Sequence, residues 1–122
     1  MILDQIWLTG FMGTGKSRIA RPLAAALDWR AVDIDELIEA EAGEPVRAIF
    51  QHRGEAAFRV IEAGIVERIA GDDHIVVATG GGTVLSQANR EAMHRRGFVV
   101  CLDAQPGTIL RRIEGSDAHV SE

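Results

Sequence analysis

The sequence is short of several residue types, and each shortage excludes something. Cysteine occurs once, at Cys101. No internal disulfide can form, and no thiolate cluster can hold a metal. No apolar run approaches the roughly 18 residues that span a bilayer. The first residues, Met1 to Trp7, carry Asp4 and no basic side chain, unlike a secretory leader. These absences lead to the expectation of a cytoplasmic protein with no membrane partner. Positive charge is also scarce. Thirteen Lys and Arg face 18 Asp and Glu, for a formal net charge of −5. Phosphate-backbone binding wants a basic face, so no nucleic-acid partner is expected. Lysine is nearly missing: 12 of the 13 basic residues are arginine, and the exception is Lys16. A GC-rich genome explains the imbalance but not why a lysine persists there.

What is present is ordinary globular material. The 122 residues are 47% apolar and 25% charged, enough for one domain with a real core. Apolar runs alternate with amphipathic stretches. Strands are expected at Gln5–Thr9, Ala31–Asp35, His74–Thr79 and Phe98–Asp103. Helices are expected at Lys16–Leu27, Glu36–Ala42, Pro45–His52 and Glu55–Ala70, the last two broken at Gly54. Ser86 caps a further helix to Arg96, closed by Gly97. Pro106 opens a last one through Ile113. Pro22 falls inside the first helix and predicts a local kink. Strands one, three and four are continuously apolar, the pattern of strands covered on both faces. The expectation is therefore an α/β fold, a parallel sheet flanked by helices. Such sheets bind ligands at the carboxyl ends of their strands.

The residues just after the strands carry the chemistry. Gly10-Phe11-Met12-Gly13-Thr14-Gly15-Lys16-Ser17 matches a phosphate-binding loop at every fixed position, between a strand and a helix. Its glycines let backbone N–H groups turn inward onto phosphate oxygens. Lys16 supplies a slim point charge, where arginine's planar fork would not follow one phosphate. The Ser17 hydroxyl is a ligand for Mg²⁺. Asp33 and Asp35 close the second strand, two residues apart. On a strand that spacing aims both carboxylates into one pocket. Asp33 would then hold magnesium, directly or through water, and Asp35 a substrate hydroxyl and its proton. Asp35 as a simple helix cap stays open beside that. Gly80, Gly81 and Gly82 permit close backbone approach to a ligand, or form a flexible turn. Arg59 can pair with Glu55 or Glu62 on its own helix, or grip a substrate carboxylate with both arms of its fork. His52, His74, His94 and His119 show no ligand spacing.

Together, Gly10–Ser17, Val32–Glu39, Ile49–Glu62 and Ala78–Gly82 resemble the shikimate kinases. The order and spacing of Asp-x-Asp, Gly-Glu-x-x-Phe-Arg and the triple glycine are far more specific than the loop alone. The resemblance implies a P-loop fold of the nucleoside-monophosphate-kinase type. It implies transfer of the γ-phosphate of ATP to the 3-hydroxyl of shikimate, with Mg²⁺, on the route to chorismate and aromatic amino acids. By the same resemblance Lys16 and Asp35 are catalytic. Gly13, Thr14, Gly15, Lys16, Ser17, Arg18 and Arg112 bind the nucleotide, with Arg112, or else Arg111, against adenine. Asp35, Arg59, Gly80, Gly81 and Gly82 bind shikimate, Gly81 foremost. Phe50, Phe58 and Glu62 shape the wall, and Ser17 and Asp33 hold the metal. The full-length form is expected to be a monomer.

The pattern departs from the family in three places. Arg18 stands where a threonine is usual, and Pro22 is unusual in the first helix. The family's mobile lid, a second arginine for the substrate carboxylate, a fifth strand and a closing helix would all follow Glu122. The expectation is a single P-loop kinase domain over 1–122, incomplete at its C-terminus, with four strands, an open apolar edge and weak or no activity alone. Rival readings are another small-molecule kinase, such as a gluconate kinase, and a non-catalytic nucleotide-binding remnant.

Overall fold

A computed structural model describes residues 4–10 and 16–102, and the backbone of 110–114. The elements are β1 (Gln5–Gly10), α1 (Lys16–Leu27), β2 (Arg30–Asp33), α2 (Ile34–Ala42), α3 (Val46–Ile69), β3 (Ile75–Ala78), α4 (Gln87–Arg96), β4 (Gly97–Leu102) and β5 (Leu110–Glu114). The strands lie in the order β2-β3-β1-β4-β5. The first four are mutually parallel, and Asp33 sits opposite Ala78, which sits opposite Leu8. That register brings the carboxyl ends of β1, β2 and β3 to one edge.

The continuous apolar runs are explained by two cores, one on each face of the sheet. Trp7, Ile75, Val77 and Val99 face α2, α3 and α4, packing on Ile34, Ile38, Ile49, Ile65 and Met93. Leu8, Val76, Ala78, Val100 and Leu102 face α1, packing on Ala20 and Ala24. Neighbouring residues such as Trp7 and Leu8 are thus both buried, at 0% and 1% exposure. A fully buried aliphatic side chain of this kind contributes about 1.5–3 kcal/mol. Gln5 is buried among them for a different reason. Its amide donates to the carbonyls of Ala70 at 2.7 Å and Asp72 at 2.8 Å, and its carbonyl accepts from the Trp7 indole at 3.0 Å. It satisfies carbonyls that the end of α3 would leave without partners.

Helix signals were legible. α1 runs unbroken through Pro22. Ser86 caps α4 by accepting from the Asn89 N–H. Gly54 interrupts α3 with φ 85° and ψ 167°, a conformation essentially closed to side chains with a Cβ. Two expectations need correction. The second strand ends at Asp33, and Asp35 lies in the first turn of α2. The segment expected to be helical up to Ile113 ends instead in β5, antiparallel to β4, with a register irregularity between Cys101 and Leu102. An uncovered β4 would present a row of unpaired backbone groups. Ladder pairing satisfies them, whereas a helix of two turns gains little on its own. The sheet therefore carries a fifth strand where four were expected, and it pairs along β4.

Candidate active site

The phosphate loop leaves β1 at Gly10 and re-enters described structure at Lys16, the first residue of α1. Gly13, Thr14 and Gly15 lie outside the described residues. Lys16 is buried at 9% exposure, and its Nζ donates to the Gly10 carbonyl at 2.7 Å. Burial pushes its pKa down, while the carboxylates of Asp35 and Asp33 and the Cys101 thiol oppose that shift. The lysine thus lies within the field of both aspartates. Ser17 follows on α1, and its hydroxyl donates to Asp33 Oδ2 in a short contact. Arg18 is exposed on the same helix. Arg111 and Arg112 fall on β5, Arg112 opposite Cys101 in register. Their side chains lie outside the described residues.

The two aspartates come together by a different geometry than strand alternation. Asp33 is the N-cap of α2, and its Oδ1 accepts from the Glu36 N–H at 3.1 Å. The cap role weighed for Asp35 belongs to Asp33. Its other oxygen is left to face Ser17. Asp35, one residue into the helix, turns toward β3: a Cβ added to Gly80 would sit 2.6 Å from its Oδ1. Burial raises the Asp35 pKa first, and the carboxylates of Asp33, Glu62 and Glu39 raise it further, against a lowering by Lys16.

Beyond Asp35 a cavity of ≈ 630 Å³ opens, lined by Asp35, Phe50, Phe58, Arg59, Glu62 and the triple glycine Gly80–Gly82. Phe50 and Phe58 form one wall, ring centroids 4.6 Å apart, and the Arg59 guanidinium lies 5.1 Å from the Phe58 ring. Arg59 does pair on its own helix: Nη1 donates to Glu62 at 2.9 Å, with Glu55 at 3.5 Å. That pairing does not remove it from the cavity, since it remains 31% exposed there. Any Cβ on Gly82 would collide with its guanidinium. A side chain at the first or third glycine would therefore displace the carboxylate of Asp35 or the guanidinium of Arg59. Thr83, Glu62 and Asn89, buried behind the cavity, form a hydrogen-bonded backing. Neither Thr83 nor Asn89 was marked by any spacing in the sequence.

Among the described residues no group of three or more His, Cys, Asp or Glu is arranged to hold a metal. Ser17 and Asp33 offer a pair of hard oxygens at the loop, bordering a cleft of ≈ 20 Å³. That donor set fits Mg²⁺, which binds through one or two carboxylates and keeps its other sites for water and phosphate. Also among the described residues, no helix is long and apolar enough to cross a membrane.

Comparison with known proteins points one way. The family model for shikimate kinase matches residues 12–120. A shikimate kinase of Symbiobacterium thermophilum is 49% identical over 114 residues, covering 93% of this chain and 66% of the relative. The solved shikimate kinase of Acinetobacter baumannii, in complex with shikimate, superposes with a TM-score of 0.79 at 37% identity, over 81% of this chain and 55% of that one. A gluconokinase from Sinorhizobium meliloti superposes less well, at 0.53 and 19% identity, a likeness of fold alone. The chain thus spans a little over half to about two thirds of the lengths of these shikimate kinases. With Asp35, Arg59 and the triple glycine around one cavity and the family model matched over residues 12–120, the chain belongs to the shikimate kinase family.

Proposed function

We propose that this chain forms the nucleotide loop and acceptor pocket of a shikimate kinase, a cytoplasmic, monomeric enzyme that moves the γ-phosphate of ATP to the 3-hydroxyl of shikimate. The observation that carries the reading is the position of Asp35. Its carboxylate lies where the Lys16 end of the loop meets the cavity lined by Arg59 and the glycines. An acceptor hydroxyl held by Asp35 would then face the Lys16 side of the site, whose field Asp35 shares.

Each residue then has a chemical task. Arg59 grips the acceptor's carboxylate with its fork while Glu62 holds its rear. Such bidentate pairs fix orientation as well as affinity. Gly80, Gly81 and Gly82 bring backbone against the acceptor ring, and Phe50 and Phe58 pack its apolar face. Asp35 accepts the proton of the attacking hydroxyl. Its raised pKa makes it a better base than an ordinary aspartate. Lys16, with Gly13, Thr14, Gly15 and Arg18, would hold the phosphates, and Arg112 is assigned to the adenine by the family resemblance. Ser17 and Asp33 would hold Mg²⁺, which when bound would neutralise charge on the phosphates. Phosphoryl transfer needs little more than this positioning and neutralisation.

Shikimate-dependent ADP release tests the proposal, with gluconate as the competing acceptor. Release with shikimate and none with gluconate is expected. Lys16→Ala is expected to lower that release at least ~10²-fold, the scale of one lost charge-stabilising group. Preference for gluconate, or near-normal turnover of shikimate by Lys16→Ala, overturns the assignment.

A further inference from the structure

We propose that Thr83 is a positioning residue for the acceptor pocket, setting the orientation of Arg59 through Glu62. Thr83 is 0% exposed, and its hydroxyl makes two bonds at once. It donates to Glu62 Oε2 at 2.8 Å and accepts from the Gly80 N–H at 2.9 Å. The other Glu62 oxygen accepts from Arg59 Nη1 at 2.9 Å. One buried carboxylate thus links the first glycine of the triple-glycine turn to the arginine in the cavity. Thr83 is itself anchored, because its carbonyl accepts from Asn89 Nδ2 at 3.0 Å, and Asn89 sits in the capped first turn of α4.

The alternatives open to Arg59 show why this matters. Glu55, 66% exposed, already meets Arg59 Nε at 3.5 Å on the solvent side, while Glu62 takes Nη1 at 2.9 Å. A carboxylate held rigidly by Thr83 favours the inward pairing, in which the guanidinium lies close to Gly82. Without the hydroxyl, buried Glu62 keeps Arg59 but loses its second partner, and the Gly80 N–H loses its acceptor. A buried carboxylate stripped of a partner moves to recover one. Arg59 moves with it or turns to Glu55. Thr83 touches neither acceptor nor nucleotide in this arrangement, so its effect falls on the acceptor alone.

This inference rests on the shikimate reading, and the experiment separates the two. Titration calorimetry measures shikimate and ADP binding to the unaltered chain, Thr83→Val and Thr83→Ser. Arginine-side-chain NMR reads the Arg59 Nε–H environment in all three. Thr83→Val is expected to weaken shikimate about tenfold, to leave ADP within about twofold, and to shift the Arg59 signal. Thr83→Ser restores both. If Thr83→Val does not fold, Thr83→Ala is the test, with the same outcomes expected. An unchanged Arg59 signal overturns the positioning role, whether or not shikimate binds. So does equal loss of shikimate and ADP affinity, or no rescue by serine. Absence of shikimate binding to the unaltered chain overturns the functional reading instead, and the NMR comparison still decides the role of Thr83.

Discussion

Asp35 concentrates the conflict between stability and chemistry. Burial and three neighbouring carboxylates hold its pKa above the ordinary value of 3.8. The folded state therefore binds this proton more tightly than the unfolded chain. The sign follows by linkage: as pH rises from the ordinary aspartate range through the folded pKa, ionising Asp35 costs stability. Asp35→Asn removes that cost. Its expected result is a Tm at pH 7 equal to or above that of the unaltered chain, with turnover lower by about 10²–10⁴-fold, the range of a lost general base. In the unaltered enzyme the acid limb of the turnover profile is expected at a pKa above 3.8. A pH–rate series and a thermal melt on both proteins check these points. The pairing of Asp33 with Asp35 was visible as a motif, but not how it works. The sequence suggested two carboxylates on a strand, whereas a helix start after Asp33 turns one toward Ser17 and the other toward Gly80.

At the scale of the elements, two connections decide whether the helices stay in place. Gln5, at the start of β1, ties off the end of α3 and holds the Trp7 indole. Gln5→Leu leaves buried carbonyls and an indole N–H without partners. A loss of about 2–4 kcal/mol is expected, at ~1–3 kcal/mol per orphaned group with partial relief by water. Urea unfolding measures it, and an unchanged midpoint would refute the capping role. Gly54 is the second connection. Its φ of 85° and ψ of 167° let α3 change direction between Phe50 and Phe58, both of which line the cavity. Gly54→Ala is expected to cost about 1–3 kcal/mol and to weaken acceptor binding by disturbing the pair of rings. The Gly54 break could be read from sequence because glycine's backbone freedom is local. Gln5 could not, since the carbonyls it satisfies lie some 65 positions away.

For the whole molecule, loop and cavity form on separate elements that only the sheet brings together, so ligands should stabilise the fold. A ligand at 100 times its Kd adds about 2.7 kcal/mol, which for a chain of this size raises Tm by roughly 10 °C. Thermal melts with ADP and with shikimate are expected to show such shifts, and Lys16→Ala is expected to lose the ADP shift alone. The β5 strand belongs to this scale as well. Nothing in Leu110–Glu114 marks it as a strand partner, and it becomes one because β4 is there to be paired.

The sequence by itself determined whatever depends on local chemistry. Resemblance to the family implied the grouping of Asp35, Arg59 and the triple glycine, and local chemistry settled the phosphate-loop motif and its single lysine, the alternation of buried strands with helices, the Ser86 cap and the Gly54 break. Each of these follows from neighbouring residues or from a motif of fixed spacing. Tertiary structure decided the rest: which aspartate caps, that Arg59 pairs with both Glu62 and Glu55, how closely Asp35 and Arg59 approach Gly80 and Gly82, and that Thr83 and Gln5 matter at all. Those outcomes turn on hydrogen bonds and steric overlaps between residues far apart in the chain. Such contacts exist only after β3 and β1 have been laid side by side and α3 packed across them.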